Sequence, residues 1–126
     1  MNASDYLEAA VLSHVFRNVA MASPSNVYVA LFNGDPSSGG TEVTLTIAAA
    51  RLTATFAAPI SGVITNSADT DFGPALAGAT ITHFAIYDAS SGGNMLTYGA
   101  LLGGTQVIST SNPVKFASGD LSITLA

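Results

Sequence analysis

Short runs of alternating hydrophobic and polar residues fill most of this chain, which is the pattern of β-strands. The run VYVALF at 27–32 is apolar on both faces and predicts a well-buried strand. The run 41–47 alternates strictly, so it predicts a half-buried strand with Val43, Leu45 and Ile47 inward. Leu52–Phe56 repeats that alternation. Further short strands are predicted at 63–65, 106–108, 114–117 and 121–125, the last with Leu121, Ile123 and Leu125 on one face.

The stretch Ala79–Leu102 predicts the central hairpin of the fold. Its first strand, which ends at Tyr87, is apolar on both sides and must therefore be covered on both faces. A polar turn at 88–94 follows, with two adjacent glycines that supply the positive φ of a hairpin turn. Gly99 in the second strand marks a bulge or a close backbone approach. Segment 66–79 is expected to be a loop anchored by Phe72, Pro74 and Leu76.

One helix is predicted at the start of the chain, within residues 2–20 and most strongly over about 4–20. Either Ser4 or Asp5 can cap it, and Glu8 would complete a capping box with Asp5. Its broad apolar stripe is made by six side chains: Leu7, Val11, Leu12, Val15, Phe16 and Val19. The stripe is interpreted as packing on one face or end of a sheet, the alternative being that it docks on a partner.

Turn signals at intervals of roughly ten residues favour an antiparallel sandwich or barrel over βαβ units. The predicted fold is mainly β: an antiparallel β-sandwich, jelly-roll or immunoglobulin-like, with one N-terminal α-helix. At 126 residues the chain is expected to form a single domain spanning 1–126.

The composition adds a prediction of association. Only 9% of the residues are charged while 48% are hydrophobic, so little charge is available to keep copies apart. We therefore expect a homo-oligomer or another assembly. The net charge of −5 disfavours free nucleic acid as a partner. No apolar run approaches the ~20 residues of a membrane helix, so no membrane insertion is expected.

Candidate chemistry is sparse. Asp69 and Asp71 lie in a loop that lacks the further acids of a calcium site, and Asn66 and Asp69 are better explained as turn formers bonding their own backbone. His14 and His83 have no ligand-spaced neighbours. The glycine pairs lack the residues of a phosphate loop. A pair of catalytic carboxylates among the eight acids is a third-ranked alternative. We thus predict no catalytic residue, metal or cofactor, and a structural or binding module rather than an enzyme.

Several short motifs, taken together in order and spacing, carry a resemblance over nearly the whole chain. They are DYL at 5–7 with His14, VYVALF at 27–32, GTEV at 40–43, NSA at 66–68, ITHFAIYDA at 81–89, GGN at 92–94, YGAL at 98–101 and GDL at 119–121. With these motifs the chain resembles a family of small virion structural proteins of tailed bacteriophages, labelled tail fibre protein or capsid decoration protein. It departs from relatives in having Ala48-Ala49-Ala50 before Arg51, and Leu76-Ala77-Gly78 where a Trp is often found.

The resemblance implies a virion protein, assembled in the host cytoplasm and located on the head surface or the tail. The first hypothesis is a capsid decoration or cement protein that binds the major capsid protein and stabilises the assembled shell. The second is a tail-fibre or receptor-binding module that contacts tail proteins and presents loops to a receptor such as a surface glycan. The candidate partner contacts lie in the helix and two loops: Tyr6, Leu7, Val11, Asn33, Asp35, Ser90, Gly92 and Asn94.

Overall fold

The structure, a computed structural model that describes residues 2–124, is mainly β with antiparallel pairing. It forms a two-layer sandwich with one main N-terminal helix, as predicted. Its first layer is a sheet of six strands: β1 Asn2–Ala3, β2 Val27–Asn33, β3 Thr41–Glu42, β4 Leu52–Ala54, β8 His83–Tyr87 and β9 Met95–Ala100. Their order in the sheet is β1-β9-β8-β2-β3, with β4 also paired to β2.

Three two-stranded ladders form the second layer. Its strands are β5 Val63–Thr65, β6 Thr70–Pro74, β7 Ala79–Ile81, β10 Gln106–Ile108, β11 Pro113–Phe116 and β12 Ser122–Thr124. They pair as β5 with β12, β6 with β11, and β7 with β10. The main core lies between the layers, where Leu31 and Phe84 of the first layer pack with Val114 and Leu121 of the second. The ring of Phe116 meets that of Phe84 edge-on at 5.6 Å between centroids.

The predicted central hairpin is confirmed, because β8 pairs with both β2 and β9 in the middle of the large sheet. Its first strand, however, is shared between the layers. β7 pairs in the second layer, the chain crosses at Thr82, and β8 continues in the first. The Thr82 amide donates to the Phe32 carbonyl, so the crossing residue remains bonded to the sheet. This segment therefore ties the two layers together covalently.

The helix α1 spans Asp5–Phe16 and ends four residues before the predicted end. Ser4 is the cap, since its hydroxyl accepts from the Leu7 amide at 3.1 Å. Asn18 adopts φ 55°, and the Val19 amide donates to the Ser13 carbonyl, which is the pattern of a helix closed by a left-handed residue. Asparagine tolerates that conformation, and the helix stops there.

The interpretation that the helix packs its stripe on a sheet is wrong for most of that stripe. Across residues 5–16 no side chain of α1 is fully buried. Leu7 and Val11 are half-buried on the side towards the body, whereas Leu12, Val15 and Phe16 are exposed. The helix is anchored at its start, where the Ser4 amide donates to the Leu96 carbonyl of β9, and the exposed apolar side chains lie in its later turns.

The predicted strand 41–47 is also wrong beyond its first two residues. β3 covers only 41–42, and one helical turn, α2, follows at Thr44–Ile47. Thr44 is completely buried. Its hydroxyl accepts a hydrogen bond from the Leu31 amide at 2.9 Å and so takes the place that a strand carbonyl would have in the ladder. Leu45, predicted inward, is 72% exposed. The alternating letters thus conceal a side-chain hydrogen bond that competes with the strand ladder.

Three further expectations need correction. Segment 66–79 is not a loop throughout, because β6 lies within it; Phe72 is buried as expected but Leu76 is 63% exposed. The irregularity in the hairpin lies at Ile86–Tyr87, and Gly99 pairs regularly with Phe84. Leu125 of the predicted last strand lies outside the described residues. Within the described range no helix is long and apolar enough to cross a membrane.

Candidate binding surface

A cavity of about 370 Å³ lies on the outer side of the large sheet, where the start of α1 meets two loops. Tyr6 from the helix and Tyr98 from β9 provide two aromatic rings. The loop that follows β2 provides Ser37, and the hairpin loop between β8 and β9 provides Gly93 and Asn94. Three segments that are distant in sequence and were predicted to carry partner contacts therefore converge on one place. We refer to the cavity and the two loops, 33–40 and 88–94, as the loop face.

The loop 33–40 is folded tightly onto the sheet. Asp35 caps a single 3-10 turn at Pro36–Ser38, with its carboxylate accepting from the Ser37 amide at 2.8 Å and the Ser37 hydroxyl at 2.7 Å. These bonds favour the charged form and lower the pKa of Asp35. A side chain at Gly40 would lie 2.4 Å from the Gly34 carbonyl oxygen, so the loop closes on itself. Asn33 is exposed at the end of β2.

The hairpin loop is closed by hydrogen bonds between its own residues. The Asp88 carboxylate accepts from the Asn94 amide at 2.7 Å and from the Asn94 side chain at 3.1 Å, which closes the loop across its base. Both bonds lower the pKa of Asp88, the backbone bond more. Ser90 and Gly92 lie exposed at the tip. A short, internally bonded loop of this kind presents its tip with little conformational entropy left to lose on binding.

Arg51 fastens the hairpin loop to the body, and the sequence reasoning missed this role. Its guanidinium donates to both carboxylate oxygens of Glu42 at 2.7 and 2.8 Å. It donates as well to the carbonyls of Ala89 and Gly92 at 3.1 and 2.9 Å. The same group lies 3.8 Å over the ring of Tyr87. The only available signal was that an arginine is one of three cations in a chain so poor in charge.

The electrostatics of this cluster are set by Arg51. Its hydrogen bonds hold the pKa of Glu42 below its ordinary value, against the opposing effect of burial. The pair also raises the pKa of Arg51. Burial raises the pKa of Tyr87, so that ring is a neutral platform under the guanidinium. Tyr87 stacks in parallel with Phe32 at 6.5 Å between centroids, which continues the platform into the sheet.

The predicted contacts are thus only partly brought together. Tyr6 and Asn94 line the cavity itself. Asn33 and Asp35 belong to one bordering loop and Ser90 and Gly92 to the other. Leu7 and Val11 do not line the cavity and are half-buried on the body side of α1.

Two of the predicted turn formers serve a different purpose. Asn66 is 1% exposed; its amide donates to Ala68 nearby, but its oxygen accepts from Gly119 and Leu121, both at 2.9 Å. Asp69 accepts from the Ser118 amide at 2.9 Å rather than from its own neighbours. Both side chains therefore join the start of the second layer to its last turn. That pairing spans about fifty residues and has no local sequence signal.

The histidines lie apart from any ligand cluster. His83 Nδ1 is 2.8 Å from the Thr82 hydroxyl, which itself accepts from the Gly34 amide. Among residues 2–124, no group of three or more His, Cys, Asp or Glu side chains is placed to hold a metal ion. The cavity of the loop face offers aromatic rings, amides, hydroxyls and one carboxylate, Asp5. This set can make hydrogen bonds and ring-stacking contacts with a polar ligand.

The comparisons with known proteins give one family. A family model described as "Podophage GP4 fiber I protein gp80" matches residues 2–124. No curated protein matches the chain.

Proposed function

The chain belongs to the family of the Podophage GP4 fiber I protein gp80, and from this membership we propose that it is a subunit of a tail fibre. It is accordingly a structural protein of a tailed-phage virion. The observation that supports the tail over the head is the family description itself, which covers the whole described chain and names a fibre. The second of the two functions considered from the sequence is therefore preferred here.

The loop face is the surface proposed to contact the fibre's ligand. Its loops are internally bonded through Asp35 and Asp88, and Arg51 fixes one of them to the sheet. Exposed polar loops on a rigid β scaffold are a common arrangement for recognition. Tyr6 and Tyr98 beside Asn94 supply rings and an amide, the groups with which proteins bind sugars. The proposed ligand class is a glycan of the host surface.

Localisation on the virion tests the proposal. Copies of the chain are counted against the major shell protein by mass spectrometry, and a gold-labelled antibody locates the chain by electron microscopy. A tail fibre predicts a small copy number set by the tail's symmetry, with label at the tail. A copy number comparable to that of the shell protein, with label on the head, would instead establish a decoration protein and overturn the proposal.

Adsorption of phage to host cells tests the loop face separately. Replacing Asn94 would break its hydrogen bonds with Asp88 and disturb the loop itself. Tyr6→Ala is the better test, since Tyr6 is 44% exposed. Tyr6→Ala is expected to slow adsorption at least about tenfold if it loses one good ring contact. The matched control is Ile60→Ala, another exposed apolar side chain outside the cavity. Equal adsorption of both variants would rule out the loop face as the ligand site.

A further inference from the structure

The helical arm, defined as residues 5–19, leaves large apolar side chains uncovered. Apart from Tyr6, which lines the loop face, four large side chains on it are substantially exposed: Leu12 57%, Val15 61%, Phe16 78% and Val19 47%. Their exposed parts amount to about 440 Å² if a fully exposed large side chain offers roughly 180 Å². An exposed apolar area of that size matches the largest patch on a typical soluble monomer, which is often functional.

A groove of matching character lies elsewhere on the same chain. It has a volume of about 380 Å³ and is lined mainly by apolar side chains. Leu31, Ile81, Phe84, Val114 and Phe116 form its inner wall, and Leu102, which is 85% exposed, forms its rim. No residue of the arm lines it, although residues 5–19 are all described. The arm is attached beside Leu96, at the opposite end of β9 from the groove.

We infer that the arm of one copy of this chain docks in the groove of a second copy. Phe16 is the most exposed side chain of the arm, and the groove accommodates an aromatic ring together with an aliphatic neighbour. Arg17 directly follows Phe16, and the groove is lined by one carboxylate, Asp120, and one cation, Lys115, so Asp120 is the group available to pair with Arg17. Arg17 is the only Lys or Arg in the arm.

The area also agrees. One arm in one groove buries about 900 Å² when both surfaces are counted, slightly less than the area of a specific interface. In a closed two-fold pair each copy gives an arm and receives one, so the total doubles to about 1,800 Å². That value is in the range of stable dimers. The inference does not depend on whether the chain lies on the tail or the head.

Self-association of the full chain tests the inference by analytical ultracentrifugation. The wild type is expected to form a closed oligomer. Phe16→Ser and Leu102→Glu change opposite sides of the proposed contact, and each is expected to weaken association at least tenfold. Leu45→Ser is the control, because Leu45 is 72% exposed but belongs neither to the arm nor to the groove. A monomeric wild type, or oligomers unchanged in both Phe16→Ser and Leu102→Glu, would overturn the inference.

Engineered disulfides identify the contact directly, since the natural chain contains no cysteine. A Phe16→Cys chain mixed with a Leu102→Cys chain under mild oxidation should give the mixed dimer in excess over either self-dimer. As a control, Ile60→Cys replaces Leu102→Cys as the partner of the Phe16→Cys chain, because Ile60 is 76% exposed and lies outside the groove. If Phe16→Cys links to Ile60→Cys as fast as to Leu102→Cys, the arm does not dock in the groove.

Discussion

The guanidinium of Arg51 joins β3 to the tip of the hairpin loop through contacts that lysine cannot reproduce. A planar fork is needed to reach both Glu42 oxygens while also donating to two carbonyls and lying over Tyr87. Because the Arg51 side chain is only 8% exposed, these contacts are shielded from water. Arg51→Lys is expected to lower the free energy of unfolding by about 2–3 kcal/mol.

Urea denaturation measures that change. Arg17→Lys is the matched control, because Arg17 is exposed at the end of α1 and its variant should stay within about 0.5 kcal/mol of the wild type. An Arg51→Lys variant as stable as Arg17→Lys would show that the fork geometry does not contribute.

The same ion pair predicts a dependence on pH. The pKa of Glu42 is lowered in the folded state from its ordinary value of 4.5, first by the Arg51 hydrogen bonds. The unfolded chain therefore takes up this proton at higher pH than the folded chain does. The stabilisation is complete above about pH 4.5 and is lost as the pH falls through the folded pKa. Unfolding free energies measured along this range should fall less steeply for Glu42→Gln than for the wild type.

Glu8→Gln supplies the comparison for that titration, since Glu8 is exposed on the helix. A Glu42→Gln variant whose acid limb is the same as that of the wild type would mean that the pair adds no pH-dependent stability.

Individual side-chain contacts were predicted from the sequence less well than the secondary-structure elements were. Tyr6 and Asn94 were predicted as contacts and do share a cavity, because helix starts and hairpin tips are recognisable from local letters. Arg51 was missed because its partners Glu42, Ala89 and Gly92 lie 9 to 41 residues away. Asn66 was assigned to its own turn because its partners in the last turn lie more than fifty residues away.

At the level of elements, the hairpin loop depends on the absence of a side chain at Gly93. Its φ is +74°, and a Cβ there would lie 2.6 Å from both the Ala89 Cβ and the Asp88 carboxylate. Gly92 has a similar φ of +61°, but a Cβ there would meet no other atom within 4 Å. Gly92→Ala should therefore cost about 1 kcal/mol, from backbone strain alone. Gly93→Ala should cost roughly twice as much or more, because Asp88 must also move.

The comparison is made by thermal unfolding together with amide NMR shifts of Asp88 and Asn94. The two shifts should change strongly in Gly93→Ala and little in Gly92→Ala. Equal stability and equal shifts in the two variants would contradict the described loop geometry.

Element types followed from the sequence wherever apolar periodicity and turn letters agreed. The strands β2, β5, β8, β10 and β11 were predicted close to their observed bounds. The failure at 41–47 has its cause in a side chain that replaces a backbone partner. Thr44 supplies a hydroxyl to Leu31 and turns a predicted strand into a helical turn. Periodicity describes which face a side chain takes, not which backbone group its oxygen will bind.

For the whole molecule, Asn66 is a link that closes the second layer. Its amide group makes four hydrogen bonds, three of which join the end of β5 to the turn between β11 and β12. Asn66→Ala would leave the amide of buried Leu121, the amide of Gly119 and two carbonyls without that partner. We expect a loss of about 2–4 kcal/mol in unfolding free energy.

Asn112→Ala provides the scale for this measurement, since Asn112 is exposed and its side chain accepts one bond from Ser109. It should cost about 1 kcal/mol or less. Unfolding of both variants in guanidinium chloride measures the two losses of unfolding free energy. Equal losses in Asn66→Ala and Asn112→Ala would show that the Asn66 link is redundant.

The layer architecture was predictable because spacing of turns and two-faced apolar strands are global properties of the sequence. The pairing of strands was not. The chain passes from one layer to the other at Thr82, and nothing in the sequence at that position marks the crossing. The exposed arm was misjudged for a related reason: an apolar stripe indicates that a helix will be covered, but it does not specify whether the cover belongs to the same molecule.

The pairing of β1 with β9 has a consequence for biosynthesis. Asn2 lies opposite Tyr98, so the ribosome must add about 95 further residues before the first strand has its partner. At 5–20 residues per second this takes roughly 5–20 s. During that interval the arm is translated but untethered, and its apolar side chains are available to neighbouring nascent chains on the same message. A finished copy from the same polysome, whose groove is complete, can therefore receive the arm of a chain that has not yet finished folding.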